Sequence, residues 1–177
     1  MTSRTHGRSF KSRGKRKPEL LANSMVKAIS AVHPTAKGPK GVLEQEIVFR
    51  KKFLSLDETN RFKITNALAS SESNDLARRL IANILYYDSS PLVRHEAAFA
   101  LGWIGDKTTE EILVHALLGD QSFLVRHEAA MALGELGFKS SLEALRKGLR
   151  DKTGEVAVSC KVAIQRIRET PKRQHDQ

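Results

Sequence analysis

This chain of 177 residues has a single cysteine, Cys160, so no disulfide can form within one molecule. Prolines number only five, and aromatic residues make up 6% of the sequence. No apolar run approaches the about 20 residues that a membrane-spanning helix requires, and no signal-like apolar stretch follows the basic start. These absences argue against a disulfide-stapled secreted domain and against a membrane-spanning protein. They predict a cytoplasmic protein with no membrane contact.

Positive charge is concentrated at the N-terminus. The net charge is +10, yet residues 1–40 hold ten Lys or Arg and one acid, so the remaining chain is close to neutral. We predict a basic, largely disordered tail over 1–40 with a short helix at 20–30, a repeat domain over 41–170, and a C-terminal tail over 171–177. Nonspecific RNA contact through residues 1–18 is one interpretation of the tail. A solvated arm and an organelle-targeting segment are the alternatives.

Two segments of the chain are nearly identical. Leu92–Gly102 and Leu124–Gly134 both contain Val-Arg-His-Glu-Ala-Ala-x-Ala-Leu-Gly, at an offset of 32 residues. That period is typical of helical solenoids, in which each unit buries its apolar face against its neighbours. The fold expected is all-α, a short right-handed superhelix of about four helical hairpins.

Four aspartates at similar intervals divide the repeats, and each is expected to turn or cap the chain before a helix: Asp57, Asp88, Asp120 and Asp151. The expected first helices are 41–53, 74–86, 108–118 and 140–149, and the second helices are 60–70, 91–103, 123–136 and 154–168. Glycines near the helix ends are expected to adopt positive φ as C-caps, namely Gly102, Gly105, Gly134 and Gly137. Proline and glycine at Pro34, Gly38, Pro39 and Gly41 predict a linker before the first repeat.

Two His-Glu pairs occupy equivalent points of the two central repeats. They are His95-Glu96 and His127-Glu128, whereas the corresponding positions of the outer repeats are expected at Ile64-Thr65 and Val158-Ser159. Imidazole and carboxylate ligands with open positions suit redox iron, although zinc or manganese accepts the same ligands. Because adjacent helical residues point about 100° apart, one strip of such pairs needs a second strip opposite to complete a metal site.

The pattern Val-Arg-x-Glu-Ala-Ala-x-Ala-Leu-Gly resembles HEAT-like repeats of the phycobilin-lyase type. The matched His-Glu pairs, together with Arg61-Phe62-Lys63 and the segment 155–167, resemble deoxyhypusine hydroxylase. That family is a HEAT-repeat di-iron monooxygenase that hydroxylates a modified lysine of a translation factor. The resemblance implies that His95, Glu96, His127 and Glu128 are ligands of iron (Fe²⁺), with up to two ions in a site formed by a dimer. A chain of that family carries four His-Glu pairs, whereas this chain carries two. A homodimer is therefore expected to complete the site.

Several residues permit a structural explanation. Arg94 and Arg126 are expected to pair with Asp88 or Asp120 between repeats, and Cys160 to pack in the core. Trp103 is expected to pack in the core or between repeats, and its exposure would instead indicate a surface for a partner. For the cationic substrate that the resemblance implies, carboxylates near the cleft are candidates on sequence proximity: Glu110, Glu111 and Glu135. The alternative function is a non-catalytic scaffold that binds a protein partner on its concave face, with the basic tail touching RNA or the ribosome.

Overall fold

A computed structural model describes residues 39–70, 75–105 and 107–169, together with Leu20 and Ser24. Helices and turns account for these residues, with no strand among them. The expectations for a disordered tail, a helix over 20–30 and a C-terminal tail fall largely or wholly outside the described residues. Of the helices in the described part, none is both long and apolar enough to cross a bilayer.

In the described part of the chain, eight α-helices follow one another as four hairpins. The first helices of the hairpins are α1 (Pro39–Leu54), α3 (Asp75–Tyr87), α5 (Glu110–Gly119) and α7 (Leu142–Gly148). The second helices are α2 (Glu58–Ala69), α4 (Pro91–Ile104), α6 (Phe123–Leu136) and α8 (Gly154–Glu169). Each of the eight helices predicted for the repeats is present with ends within two residues of those expected, so the all-α repeat fold is confirmed. The linker prediction was wrong for Pro39 and Gly41, which lie in the first turn of α1, where proline fits because that turn needs no N–H bond.

The second helices pack side by side through small residues. A Cβ added at Gly102 would lie 2.7 Å from Cβ of Ala132, and one at Gly134 would lie 2.9 Å from Cα and Cβ of Ala163. These two glycines are therefore close-approach sites within helices rather than the C-caps expected. Gly105 and Gly137 are the C-caps, with φ of 73° and 74°, as predicted.

One hydrophobic core runs through the stack. Both layers contribute fully buried side chains, among them Leu80 and Leu113 from first helices and Val93 and Val125 from second helices. Cys160 is buried in the same core, as expected, and burial raises the pKa of its thiol to about 11. Such a thiol is a packing residue, not a nucleophile.

Candidate functional site: a histidine strip beside an ion-pair ladder

An arginine-aspartate ladder joins successive repeats along one edge of the second helices. The guanidinium groups donate two hydrogen bonds each to an aspartate of the next repeat, in the pairs Arg61–Asp88, Arg94–Asp120 and Arg126–Asp151. The Nε-to-carboxylate distances are 2.7, 2.8 and 2.7 Å. Bidentate geometry of this kind fixes the orientation of both partners.

The ladder also holds the turns before the second helices. Nη1 of Arg94 donates to the carbonyl of Asp88, and Nη1 of Arg126 donates to that of Asp120. Asp120 Oδ1 accepts from the amide of Ser122 at 2.8 Å, and Asp151 Oδ1 from that of Thr153 at the same distance. The turn role expected for these aspartates is therefore confirmed. The predicted partner was right for Arg94 with Asp120 but wrong for Arg126, which pairs with Asp151.

The ladder also fixes the alignment of the first repeat. Arg61 is the structural equivalent of Arg94, so Phe62-Lys63, and not Ile64-Thr65, stands at the position of His95-Glu96. The last repeat does carry Val158-Ser159 there, because Ser159 contacts His127 as Glu128 contacts His95. The His-Glu pairs are still confined to the two central repeats.

The four predicted ligands form a strip across α4 and α6, here called the histidine strip: His95, Glu96, His127 and Glu128. Nε2 of His95 lies 3.2 Å from Oε2 of Glu128, one repeat further along. This hydrogen bond is the main cause of a raised pKa of His95. Burial is the main cause of a raised pKa of Glu96, whose Oε1 accepts from Nδ2 of Asn66 at 2.7 Å. Two of the four residues therefore contact each other directly.

His127 has a defined tautomer in its neutral form. Its Nδ1 lies 2.6 Å from Oγ of Ser159, and that hydroxyl donates its only proton to the carbonyl of Glu155 at 2.7 Å. The hydroxyl oxygen must therefore accept, so Nδ1 of His127 carries the proton and Nε2 keeps its lone pair. A histidine held in this way presents a basic nitrogen, which is the arrangement usual for metal-ligating histidines.

His95 leaves one buried atom unsatisfied. Its Nδ1 is buried without a hydrogen-bond partner among the described residues. An orphaned buried polar nitrogen costs free energy, and such atoms in native structures call for a specific reason. Sequence reasoning found the strip residues but missed Asn66 and Ser159, which orient two of them from neighbouring repeats.

The donor types of the strip fit iron, but one chain offers an incomplete set. Two ligands about 2.1 Å from one metal and at right angles lie about 3 Å apart, which matches the 3.2 Å between His95 Nε2 and Glu128 Oε2. Within the part of the chain that the structure describes, no three His, Cys, Asp or Glu side chains are grouped to hold a metal ion. The fit is therefore that of a partial site.

The three candidate carboxylates for a cationic substrate lie in different surroundings. Glu110 is buried at the start of α5, where Ser140 and Ser141 donate to its Oε1 at 2.6 Å each, so its role is structural and the expectation was wrong. Glu111 is exposed on the same first helix. Glu135, on α6, lines a cavity together with His127 and Glu128.

That cavity lies on the open face of the second helices and exposes large apolar side chains. Trp103 is 76% exposed, so the expectation of a core tryptophan was wrong. It follows Phe99 by four residues and His95 by eight, so all three lie on one face of α4. This spacing is visible in the sequence, and it could have predicted that Phe99 and Trp103 share the exposed face of α4 with His95.

Comparison with known proteins agrees with this fold. A family profile described as HEAT repeats matches residues 78–159. The structure of human deoxyhypusine hydroxylase in complex with glycerol is similar, with 26% identity and a TM-score of 0.59. The similarity covers 85% of this chain and 44% of that chain, so the chain spans less than half the length of the human enzyme. No curated protein matches the chain by sequence.

The fold and the repeats together define an all-α helical repeat protein, and residues 78–159 match the HEAT repeat profile. Within that class, the chain resembles deoxyhypusine hydroxylase, as the matched His-Glu pairs indicated.

Proposed function

We propose that this chain is a metal-dependent, di-iron monooxygenase-like protein resembling deoxyhypusine hydroxylase. Its substrate would be a modified lysine side chain of a translation factor, and pairing of two chains would complete its site. The observation that carries the proposal is the contact between His95 and Glu128, which brings an imidazole and a carboxylate of adjacent repeats to one point.

The residues of the strip have separate tasks in this proposal. Ser159 holds the proton of His127 on Nδ1, which leaves Nε2 as the ligand atom. Asn66 fixes the carboxylate of Glu96 by donating to Oε1, and the other oxygen is then the ligand. Glu128 and His95 supply the third and fourth donors. Bound iron would supply activation of dioxygen, with one oxygen atom inserted into a C–H bond and the other reduced to water by two electrons from an external reductant and two protons from solvent.

Metal content and particle size test the proposal together. We expect iron in elemental analysis of protein purified without chelator, and a dimer in light scattering. Replacing His95 or His127 by alanine should abolish bound iron while the far-UV circular dichroism spectrum stays unchanged. His115→Ala is the matched control, since this exposed histidine lies on α5, outside the strip. A metal-free monomer, or iron retained in both strip variants, would contradict the proposal.

One observation favours a second candidate function. Several large apolar side chains are exposed on the second helices, including Trp103, Phe99, Val158 and Val162, and exposed apolar patches mark interaction surfaces. A non-catalytic scaffold would bind a protein partner there, while the basic tail touches RNA. Co-purification of RNA with the full chain, lost on deletion of residues 1–18 and paired with absence of iron, would favour this function.

A further inference from the structure

The last hairpin carries an open groove between α7 and α8. Its volume is about 720 Å³. Arg146 and Leu149 line it from the end of α7, and the residues of α8 that line it include Lys161 and Arg168. The three basic residues are exposed, and Leu149 is 43% exposed. The groove is separate from the histidine strip, which crosses α4 and α6.

This groove includes the edge of α8 on which a further repeat would pack. Ala130 and Gly134 lie on the edge of α6 that α8 approaches, and α4 has the same two residue types at the same positions. The equivalent positions of α8 hold Lys161 and Gln165, which are exposed. Their long polar side chains would obstruct another helix, because the close approach between second helices needs small residues. A further repeat cannot pack on α8 as α8 packs on α6, so this edge is open to a different partner.

The basic residues of the groove differ from the arginines of the earlier repeats. Each arginine described in the first three hairpins has a carboxylate or an aromatic ring as its partner. Within the described residues, Arg146, Lys161 and Arg168 form no ion pair, since the pairs of α7 and α8 involve other side chains. An anionic ligand can therefore contact these three cations without breaking an existing ion pair.

Charge is distributed unequally along the repeats. Residues 139–169 hold eight Lys or Arg and four Asp or Glu, whereas residues 75–138 hold five and nine. Among the described residues that line the groove, Glu169 is the one acid, and Nε2 of Gln165 donates to its Oε1 at 2.8 Å. The last repeat is therefore positively charged beside acidic central repeats, and its groove attracts polyanions.

The spacing of the cations suits a strand that carries several phosphates. Lys161 and Arg168 are seven residues apart, which separates them by about 10 Å along α8. One phosphate cannot reach both, but consecutive phosphates of a nucleic-acid strand advance about 3.4 Å along the helix axis, so about three steps cover the distance. Leu149 and Ile164 supply apolar surface for the sugar groups. No aromatic side chain is among the described lining residues, so the groove offers bases no stacking platform.

We propose that the groove between α7 and α8 binds a nucleic-acid strand by its phosphate backbone, without preference for sequence. Arg146, Lys161 and Arg168 contact the phosphates. This site belongs to the folded repeats, and it depends neither on residues 1–18 nor on a reaction at the histidine strip. RNA and DNA share the backbone chemistry and differ in the 2′-hydroxyl group.

Fluorescence anisotropy with labelled probes tests the proposal on the full chain. The probes are oligouridine, a mixed-sequence RNA and oligothymidine of equal length, together with polyglutamate. We expect the two RNAs to bind equally, because the groove does not read bases. Polyglutamate should bind severalfold more weakly, since its carboxylates lie on flexible side chains whose ordering costs free energy. The tighter of oligouridine and oligothymidine shows whether RNA or DNA is the ligand, and equal affinities assign the groove to both.

Matched variants separate this groove from general attraction between charges. Lys161→Gln combined with Arg168→Gln should weaken oligouridine binding about tenfold. It should also reduce the slope of log affinity against log salt by about 1.4, as loss of two phosphate contacts to a single strand does. Lys51→Gln combined with Lys63→Gln, an equal charge change on exposed residues of the first hairpin, should leave both quantities unchanged. Lys161→Arg combined with Arg168→Lys keeps both charges and should retain the affinity.

Equal weakening by the two charge-removing variants would show general attraction between charges and would overturn the proposal. Unchanged binding in the groove variant would also overturn it, because the nucleic acid would then be held elsewhere, for instance by residues 1–18. Polyglutamate that binds as tightly as RNA would identify an acidic protein segment as the partner instead. Every substituted residue is exposed, so the variants should keep the far-UV circular dichroism spectrum of the wild type.

Discussion

The ladder and the histidine strip occupy the same second helices and repeat with the same period, yet they are built differently. The ladder uses the same pair in every step, and each arginine donates to both carboxylate oxygens and to a carbonyl. The strip has a different contact at every step, namely Asn66 with Glu96, His95 with Glu128 and His127 with Ser159. A buried atom of the strip, Nδ1 of His95, also lacks a partner among the described residues.

The difference separates two reasons for a residue to recur in a repeat protein. A uniform, fully hydrogen-bonded contact stabilises each junction between repeats, which is where solenoid stability resides. Buried polar groups that are imperfectly paired reduce stability, so they persist where another requirement holds them. On this argument we propose that the ladder is structural and the strip is functional, so that mutations in the ladder should lower stability while mutations in the strip should remove bound metal with little effect on stability.

Breaking a central step of the ladder should produce the largest loss of stability. Asp120→Ala removes the acceptor of two hydrogen bonds from Arg94 and one from the amide of Ser122. The side chain of Arg94, 13% exposed, is left without a carboxylate to balance its charge. We expect a loss of about 3 kcal/mol in the free energy of unfolding, measured by urea denaturation. Glu143→Ala, in an exposed pair with Lys147 on α7, is the control and should cause no measurable change. Equal losses of unfolding free energy in Asp120→Ala and Glu143→Ala would contradict the stabilising role of the ladder.

Widening the gap between second helices should have a smaller effect, because both the ladder and the strip depend on that spacing. In Gly134→Ala the new methyl would lie 2.9 Å from Ala163, and overpacking of this kind costs about 1–3 kcal/mol. Alanine's better helix propensity returns up to about 1 kcal/mol, so we expect a net loss of up to about 2 kcal/mol.

The matched control is Gly154→Ala at the start of α8, where an added Cβ meets nothing within 4 Å. It should leave the unfolding free energy unchanged or raise it slightly. If Gly134→Ala instead raises the free energy of unfolding, α6 and α8 can move apart at little cost. The close packing at Gly134 would then not determine the geometry of the strip.

Acid should weaken the ladder in a predictable direction. Hydrogen bonds from Arg126 lower the pKa of Asp151 in the folded protein, against the opposing effect of burial. Stability from this carboxylate is present above its unfolded pKa of about 3.9 and is lost as pH falls through the lower folded pKa. The stability difference between wild type and Asp151→Asn should therefore be larger at neutral pH than at about pH 3.

Urea denaturation at the two pH values measures that difference. Arg126→Met supplies the reference background, because without the guanidinium the added Asp151→Asn substitution should lose most of its pH dependence. A difference that is constant across the pH range in both backgrounds would contradict the assignment of Asp151 to the ladder.

Helix positions were predictable because they depend on short-range periodicity. The turn role of the aspartates followed from the same local reasoning, and the boundaries of α4, α6 and α8 agree almost residue for residue with those expected. The role of each glycine was harder to predict, because glycine is favoured both at a C-cap with positive φ and where two helices pack closely. Gly102 and Gly134 serve the second purpose, and Gly105 and Gly137 the first.

Contacts between repeats were less predictable, because they depend on which neighbour a side chain faces. The sequence offered two aspartates as ion-pair partners of Arg126, and neither carboxylate forms that pair, since each arginine pairs with the aspartate of the following repeat. Trp103, which follows Gly102, was expected to pack in the core or between repeats, although its spacing from His95 places it on the open face. The strip residues were identifiable because two matched copies stand out from the flanking repeats.

The sharpest test of the comparison is the one with the smallest expected effect on stability. His127→Val places in a central repeat the residue that the last repeat carries at that position, Val158. Ser159 keeps its hydrogen bond to the carbonyl of Glu155, so no buried hydroxyl is left unpaired. The unfolding free energy should stay within about 0.5 kcal/mol of wild type, as for other substitutions outside the core. Bound iron should nevertheless be lost. If urea denaturation instead shows a loss of unfolding free energy comparable to that of Asp120→Ala, His127 has a structural role. The distinction between a structural ladder and a functional strip would then be wrong for His127.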